Sequence, residues 1–315
     1  MDLLDPKNDA VFKYMLAGDD TEDLRISLLT AILRPESPIV TATVKNPHLP
    51  KKHIRDKDTV LDILMELSDG RLVDLEMQMA WRSYIPERAY YYGSRVINAQ
   101  LSRGQRYQSL KPVSTIFLLN AIGFPEAPAD HGHYVFSMKE QSNLAQLPPL
   151  FTMHFVEIPK IIRNLPAVLH SQEDLALALW CQFLYSPHQL GLAGLDEVIA
   201  TMPALKKAKK KLEEISADEE KREIARMRER GRRDYESDLE YALTRGRAEG
   251  IAEGEARGRA EGIAEGIAEG ERNAKITLLH GLLGNVATSG LSSKELATLC
   301  GLSVDEVDKL RATGH

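Results

Sequence analysis

The sequence predicts an α/β protein: a mixed sheet set among helices, followed by an α-helical C-terminal extension. Three stretches carry that expectation. "TVLDILMEL" and "RLVDLEMQM" alternate apolar and polar residues on either side of "SDG", the pattern of a β-hairpin. "PVSTIFLLN" (112–120) is an almost unbroken apolar run, which suits a strand buried on both faces. From residue 206 onward the chain is charge-dense and then repetitive, a composition that does not build a packed core.

Each element follows in order. Residues 9–33 read as helical, with Val11, Phe12 and Met15 on one stripe and Leu24, Leu28 and Leu29 on another, and with Thr21 as an N-cap. Pro35 and Pro38 close that run. "IVTATVK" (39–45) is β-branched and reads as a short strand. A basic loop, "NPHLPKKHIRDK", leads into the hairpin. Pro86 then opens an amphipathic helix, "ERAYYYGSRVINAQLSRG", with Gly104 near its end. The order is helix, strand, hairpin, helix, buried strand. "HYVFSM" and "TMHFVEI" extend the sheet, and "EDLALALWCQFLY" (173–185) reads as a helix. The globular domain spans 1–203, a charged helical linker 204–245, a glycine-every-four repeat 246–272 and a small helical module 273–315.

Composition excludes several classes. A chain of 315 residues accommodates about two domains, and 43% hydrophobic residues support a real core. The net charge of −6 does not mark a bulk nucleic-acid binder, so any DNA contact must come from local patches. Two cysteines, Cys181 and Cys300, without a CxxC argue against a disulfide framework or a cysteine-built zinc site. They point to a reducing compartment, the cytoplasm. No basic n-region precedes an apolar run and no segment reaches 18 apolar residues, so neither a signal peptide nor a membrane span is expected.

The hairpin can be put in register from its pattern. Leu61, Ile63 and Met65 form one apolar face and Val73, Leu75 and Met77 the other, all at odd positions. Both sets must lie on one side of the sheet, so partner numbers sum to an even value. An odd loop satisfies this, most simply Ser68-Asp69-Gly70 with Gly70 left-handed and a sum of 138. Asp62 then lies opposite Glu76, with Gln78 one step along on the same face. Two carboxylates about 5 Å apart repel when both are ionised. The arrangement fits either a solvated face or a divalent-cation site, for which oxygen ligands suit Mg²⁺ or Mn²⁺. Glu66 and Asp74 share the face without an evident role.

The stretch "RDKDTVLDILMELSDGRLVDLEMQ", flanked by "DAVFKYML", "ERAYYYGSRVINAQLSRGQRY" and "KPVSTIFLL", resembles the Rpn family of recombination-promoting nucleases and transposases, within the PD-(D/E)XK nuclease superfamily. The resemblance covers roughly residues 5–200. It implies a restriction-endonuclease-like core of helix, three strands, helix and strand. It also implies a Mg²⁺-dependent DNA endonuclease linked to recombination, transposition or phage defence, with Mn²⁺ or another divalent cation able to substitute. Asp62 then matches the acidic residue of the second motif and Glu76 that of the third. Gln78 stands where most of the superfamily has lysine, although ExQ is the usual form in this family. A lysine is a point charge, whereas glutamine can only orient a water or phosphate oxygen. The implied metal ligands are Asp62, Glu76 and the Met77 carbonyl, with Asp58 as a further contact. The superfamily's first-helix acid has three candidates here: Asp9, Glu22 and Asp23.

Basic residues around the hairpin are candidate phosphate contacts: Lys51, Lys52, Arg55 and Lys57 before it, and Arg88 after it, with Lys45, Arg82 and Arg95 nearby. Tyr90, Tyr91 and Tyr92 span three helix faces, so at least one is expected in the core. His131 and His133 lack a third ligand and read as surface residues. Residues 206–235 hold twelve Lys/Arg against eight Asp/Glu, a net of +4. Glycine at 246, 250, 254, 258, 262, 266 and 270 costs about 1 kcal/mol each in a helix. The segment is therefore either a helix that packs on a partner, making the protein a homo-oligomer through its C-terminal region, or a flexible tether. "LSSKELATLCGLSVDEVDKL" reads as two helices capped by Ser292 and Ser303, helix-turn-helix-like but with an acidic second helix that is poor for groove reading. The alternative to a nuclease is a catalytically inactive DNA-binding or oligomerising protein that keeps the fold. A regulator acting through the C-terminal helices is a third reading, which that acidic helix disfavours.

Overall fold

The computed structural model describes residues 2–45, 48–49, 59–60, 62–128, 131–142, 147, 149–163, 172–187, 202–288 and 290–313. The chain divides into two compact units, Met1–Arg233 and Asp234–His315.

The first unit opens with α1 (Asp9–Leu16) and α2 (Glu22–Leu33). Asn8 caps α1, its side chain accepting from Ala10 N–H and Val11 N–H. The expected continuous helix is broken after Leu16. Thr21 does not cap α2; its hydroxyl donates to the Gly18 carbonyl instead. Arg34 ends α2 in the left-handed conformation (φ 45°) just before Pro35.

The strands are β1 (Ala42–Val44), β2 (His48–Leu49), β3 (Thr59–Val60), β4 (Ile63–Leu67), β5 (Leu72–Gln78), β6 (Val113–Leu119), β7 (His133–Ser137) and β8 (Phe151–Glu157). Six of them form one sheet in the order β1-β4-β5-β6-β8-β7, while β2 and β3 pair apart. Pairs β5/β6 and β6/β8 are parallel and the others in the large sheet antiparallel. The restriction-endonuclease-like order of helix, strands, helix and strand is present. The β4/β5 register is Ile63↔Leu75, Leu64↔Asp74 and Met65↔Val73, the expected sum of 138. Gly70 takes φ +82° in the three-residue loop, where an L side chain would be strained. One expectation fails: the first hairpin strand is not continuous. The ladder stops at Ile63, Asp62 lies in a bend, and Thr59–Val60 pairs with β2.

Two layers cover the sheet. One face, with Val73, Leu75, Met77, Ile116 and Leu118, packs on α1, α2, α5 (Gln172–Tyr185) and α6 (Pro203–Ala217). Leu205, Ala208, Leu212 and Ile215 carry this core beyond Pro203. The other face packs on α3 (Ile85–Ala99), where Ile85 and Ala89 meet Phe117, Leu119 and Phe155. Helix α3 stops well before Gly104. A Cβ on Gly93 would lie 2.1 Å from the Phe151 ring, so glycine permits the close approach of α3 to β8. Helix α4 (Ile158–Arg163) follows β8.

Helix α7 (Glu219–Leu283) runs through all seven repeat glycines. At each of them the space a Cβ would take is open among the described residues. In the second unit, α8 (Ser293–Cys300) and α9 (Val304–Thr313) bury Leu296, Cys300 and Val307 with Leu279. Ser292 and Ser303 both cap as expected, each with the glutamate three residues on closing a capping box. No described helix is long and apolar enough to cross a membrane.

Candidate active site

The chain brings Asp62 and Glu76 together at the end of β5. In an unbroken hairpin the Met77 N–H would donate to residue 61 of the facing strand. Here it donates to Asp62 Oδ2 (3.2 Å), and Asp62 N–H donates back to Glu76 Oε1 (3.0 Å). The carboxylate has replaced a ladder carbonyl. Alternation places the Met77 carbonyl on the same edge of β5, because Leu72 N–H and the Gln78 carbonyl bond towards β6.

The face carrying Glu76 is not solvated. Glu76 and Asp74 are fully buried beneath α3. Arg88 on α3 donates to Glu76 Oε2 (2.9 Å) and lies 4.8 Å from the Tyr92 ring centre. The Gln78 amide donates to the same oxygen at 3.3 Å. Arg88, expected as a phosphate contact on the surface, is thus committed inward to Glu76. Burial, then the nearby Asp62 carboxylate, push Glu76 up to about 8 despite Arg88. Burial and the Glu76 and Asp62 charges raise Asp74 well above the carboxylate range, and neither of its oxygens has a hydrogen-bond partner among the described residues.

Two residues of this cluster carry no signal in the hairpin's own pattern. Asp74 looked like an ordinary acid on a strand. Lys13 of α1 places its ammonium 2.9 Å from Asp62 Oδ1. None of the three first-helix acids does this: Asp9 lies 3.9 Å from Arg228, Glu22 accepts from Ala42 N–H and Asp23 pairs with Lys207. Among the described residues no group of three or more His, Cys, Asp or Glu side chains is placed to hold a metal ion. Lys51, Lys52, Arg55, Lys57 and Asp58 lie outside the described residues. Lys45 pairs with Glu66 at 2.7 Å. Tyr92 is half-buried on the core while Tyr90 and Tyr91 are exposed. His133 is not a free surface group: its Nε2 lies 3.2 Å from Nδ1 of buried His154.

The donors present fit a divalent cation. They are hard oxygens, two carboxylates and a carbonyl, from the end of β5 and the bend that faces it. Burial is the first cause of the raised Glu76 and the Asp62 charge the second, and a bound cation would oppose both. No curated protein and no solved structure matches the chain. The family model described as PD-(D/E)XK nuclease family transposase matches residues 6–242. The chain belongs to the PD-(D/E)XK nuclease family transposases.

Proposed function

We propose that this protein is a Mg²⁺-dependent DNA endonuclease that hydrolyses phosphodiester bonds during recombination, transposition or phage defence. The observation that carries the reading is the Asp62–Glu76 pair: Glu76 accepts from the Asp62 N–H, Asp62 accepts from the Met77 N–H, and Glu76 is fully buried with its proton affinity raised. Asp62, Glu76 and the Met77 carbonyl would hold the cation. When bound, Mg²⁺ supplies charge neutralisation at the scissile phosphate and a lowered pKa for the attacking water; Mn²⁺ has the oxygen preference to substitute.

The chain's own residues do the rest. Arg88 fixes the Glu76 carboxylate from above, and the Asp62 N–H fixes it from the side. The Met77 N–H orients Asp62. Gln78, already donating to Glu76, presents an amide that can hold the attacking water or a phosphate oxygen by hydrogen bonds alone. The basic loop before the hairpin supports DNA as the substrate. The open glycine groove of α7 supports a homo-oligomer through the C-terminal helices.

The test is cleavage of supercoiled plasmid with Mg²⁺ and with EDTA, wild type beside Glu76→Ala. Cleavage by wild type in Mg²⁺ only, and none by the variant, is expected. Equal cleavage by both proteins overturns the assignment.

A further inference from the structure

Gln78 leaves a gap in the chemistry. It is neutral, and its amide is engaged with Glu76. Among the described residues two cations touch the acidic pair, Arg88 on Glu76 and Lys13 on Asp62. Arg88 is poorly placed to meet a substrate: it lies over the Tyr92 ring, and its partner Glu76 is fully buried. The two cations are exposed to a similar degree, 30% for Arg88 and 35% for Lys13, but Lys13 has a partner, Asp62, that is itself 16% exposed, so its ammonium stands at the boundary between the site and solvent. Its only charged partner among the described residues is Asp62. An ammonium has three donors and can keep one on Asp62 while offering the others.

The position of Lys13 is also well supported. Phe12, Met15 and Leu16 on either side of it are buried in the core. Asn8 caps the helix and donates to the Ala225 carbonyl, while Lys7 donates to the carbonyls of Leu184 and Tyr185. Helix α1 is therefore held at its N-terminus and along one face, and its lysine is delivered to Asp62 from a fixed base.

We propose that Lys13 supplies the substrate-facing charge of this site, contacting the scissile phosphate from α1 in place of a lysine at position 78. The inference rests on the nuclease reading above, but its test can be separated from it. The variants are Lys13→Met, Lys13→Arg and Lys13→Met/Gln78→Lys, each checked for an unchanged circular dichroism spectrum. The first readout is binding of a fluorescein-labelled DNA duplex over a salt series in EDTA, which needs no turnover. Losing one phosphate contact should weaken Lys13→Met and lower its salt slope by about one. Gln78→Lys should restore that slope. The second readout is cleavage in Mg²⁺. Lys13→Met should lose about 100-fold, the range for removing one donor to developing charge. Lys13→Arg should retain part of the activity, and the double variant should recover at least about tenfold over Lys13→Met. A purely structural lysine would not be rescued from a different strand. Wild-type salt slope in Lys13→Met, or no rescue by Gln78→Lys in either assay, overturns the proposal. A wild type that binds DNA but cleaves nothing defeats the nuclease reading alone, because the salt slope still decides Lys13.

Discussion

Two buried glutamates stand on one face of the same sheet, and they are treated in opposite ways. Gln78, Leu119 and Glu157 are register neighbours across β5, β6 and β8, so Glu76 and Glu157 sit near the same end of the parallel strands. Glu157 is fully satisfied. One oxygen accepts the N–H groups of Gly123 and Phe124, and the other faces the Tyr134 hydroxyl (3.3 Å) and the Lys160 ammonium (3.5 Å). Lys160 in turn donates to Tyr134 and to the Phe124 carbonyl. Glu76 also has donors on both oxygens, the Asp62 N–H on one and Arg88 and Gln78 on the other, but it shares its surroundings with two more acids, and its proton affinity is raised. A satisfied buried carboxylate closes a loop and adds stability. An unbalanced one costs stability and persists where chemistry needs it.

Substitutions should divide along that line. Glu76→Gln should lower Mg²⁺-dependent cleavage by about 10³-fold. It should also abolish the rise in melting temperature that Mg²⁺ gives the wild type. In metal-free protein it should not destabilise at pH 8. The sign follows from linkage: Glu76 has a folded pKa of about 8 against 4.5 unfolded, so the wild type loses stability as pH rises through that window and the variant does not. Glu157→Ala should behave in reverse. It removes the counter-charge of the buried Lys160 ammonium, at a cost of about 3–5 kcal/mol in urea unfolding, while the cleavage rate per folded molecule stays within a few-fold. If Glu157→Ala silences cleavage in fully folded protein, the division is wrong.

Asp74 sharpens the comparison further. Its oxygens have no partner among the described residues and its pKa is raised by burial first. Asp74→Asn should stabilise the metal-free protein by about 1–3 kcal/mol at pH 8. The gain should grow as pH rises from about 4, because only the wild type then bears the growing penalty of a buried acid. A loss of stability at pH 8 would mean that the carboxylate has a native partner.

Much of this was legible in the sequence, for physical reasons that can be named. The hairpin register followed from parity, since both apolar sets are odd-numbered and only an odd loop with a left-handed Gly70 joins them. Strand β6 declared itself as an apolar run because it is buried on both faces. What stayed hidden depends on contacts between distant segments. Alternation cannot show that the Asp62 side chain takes the hydrogen bond of a strand carbonyl, which is where the first strand breaks. The acids looked solvated because nothing in β5 reports that α3 lies over them. In the sequence Lys13 is only a cation beside Phe12 and Met15 in an otherwise apolar helix, a weak signal without the fold.

A further contrast lies on the opposite face of the sheet, where His133 and His154 share a hydrogen bond. Burial first, and then the partner imidazole for His133, lower them to about 3 and 4 from 6.5. For a histidine whose folded pKa is depressed, the unfolded chain takes up the proton first. The pair therefore contributes stability above pH 6.5 that is lost as pH falls towards 4. The acids around Glu76 slope the other way, so the contribution must be read by difference. His133→Asn/His154→Asn should be less stable than wild type at pH 7.5, and the gap should narrow at pH 5 by up to about 1.4 kcal/mol per pH unit for each imidazole. Urea midpoints at the two pH values measure it. A gap that does not change with pH would mean the imidazoles are protonated without cost in the folded state, and that this face, unlike that of Glu76, carries no pH-dependent strain.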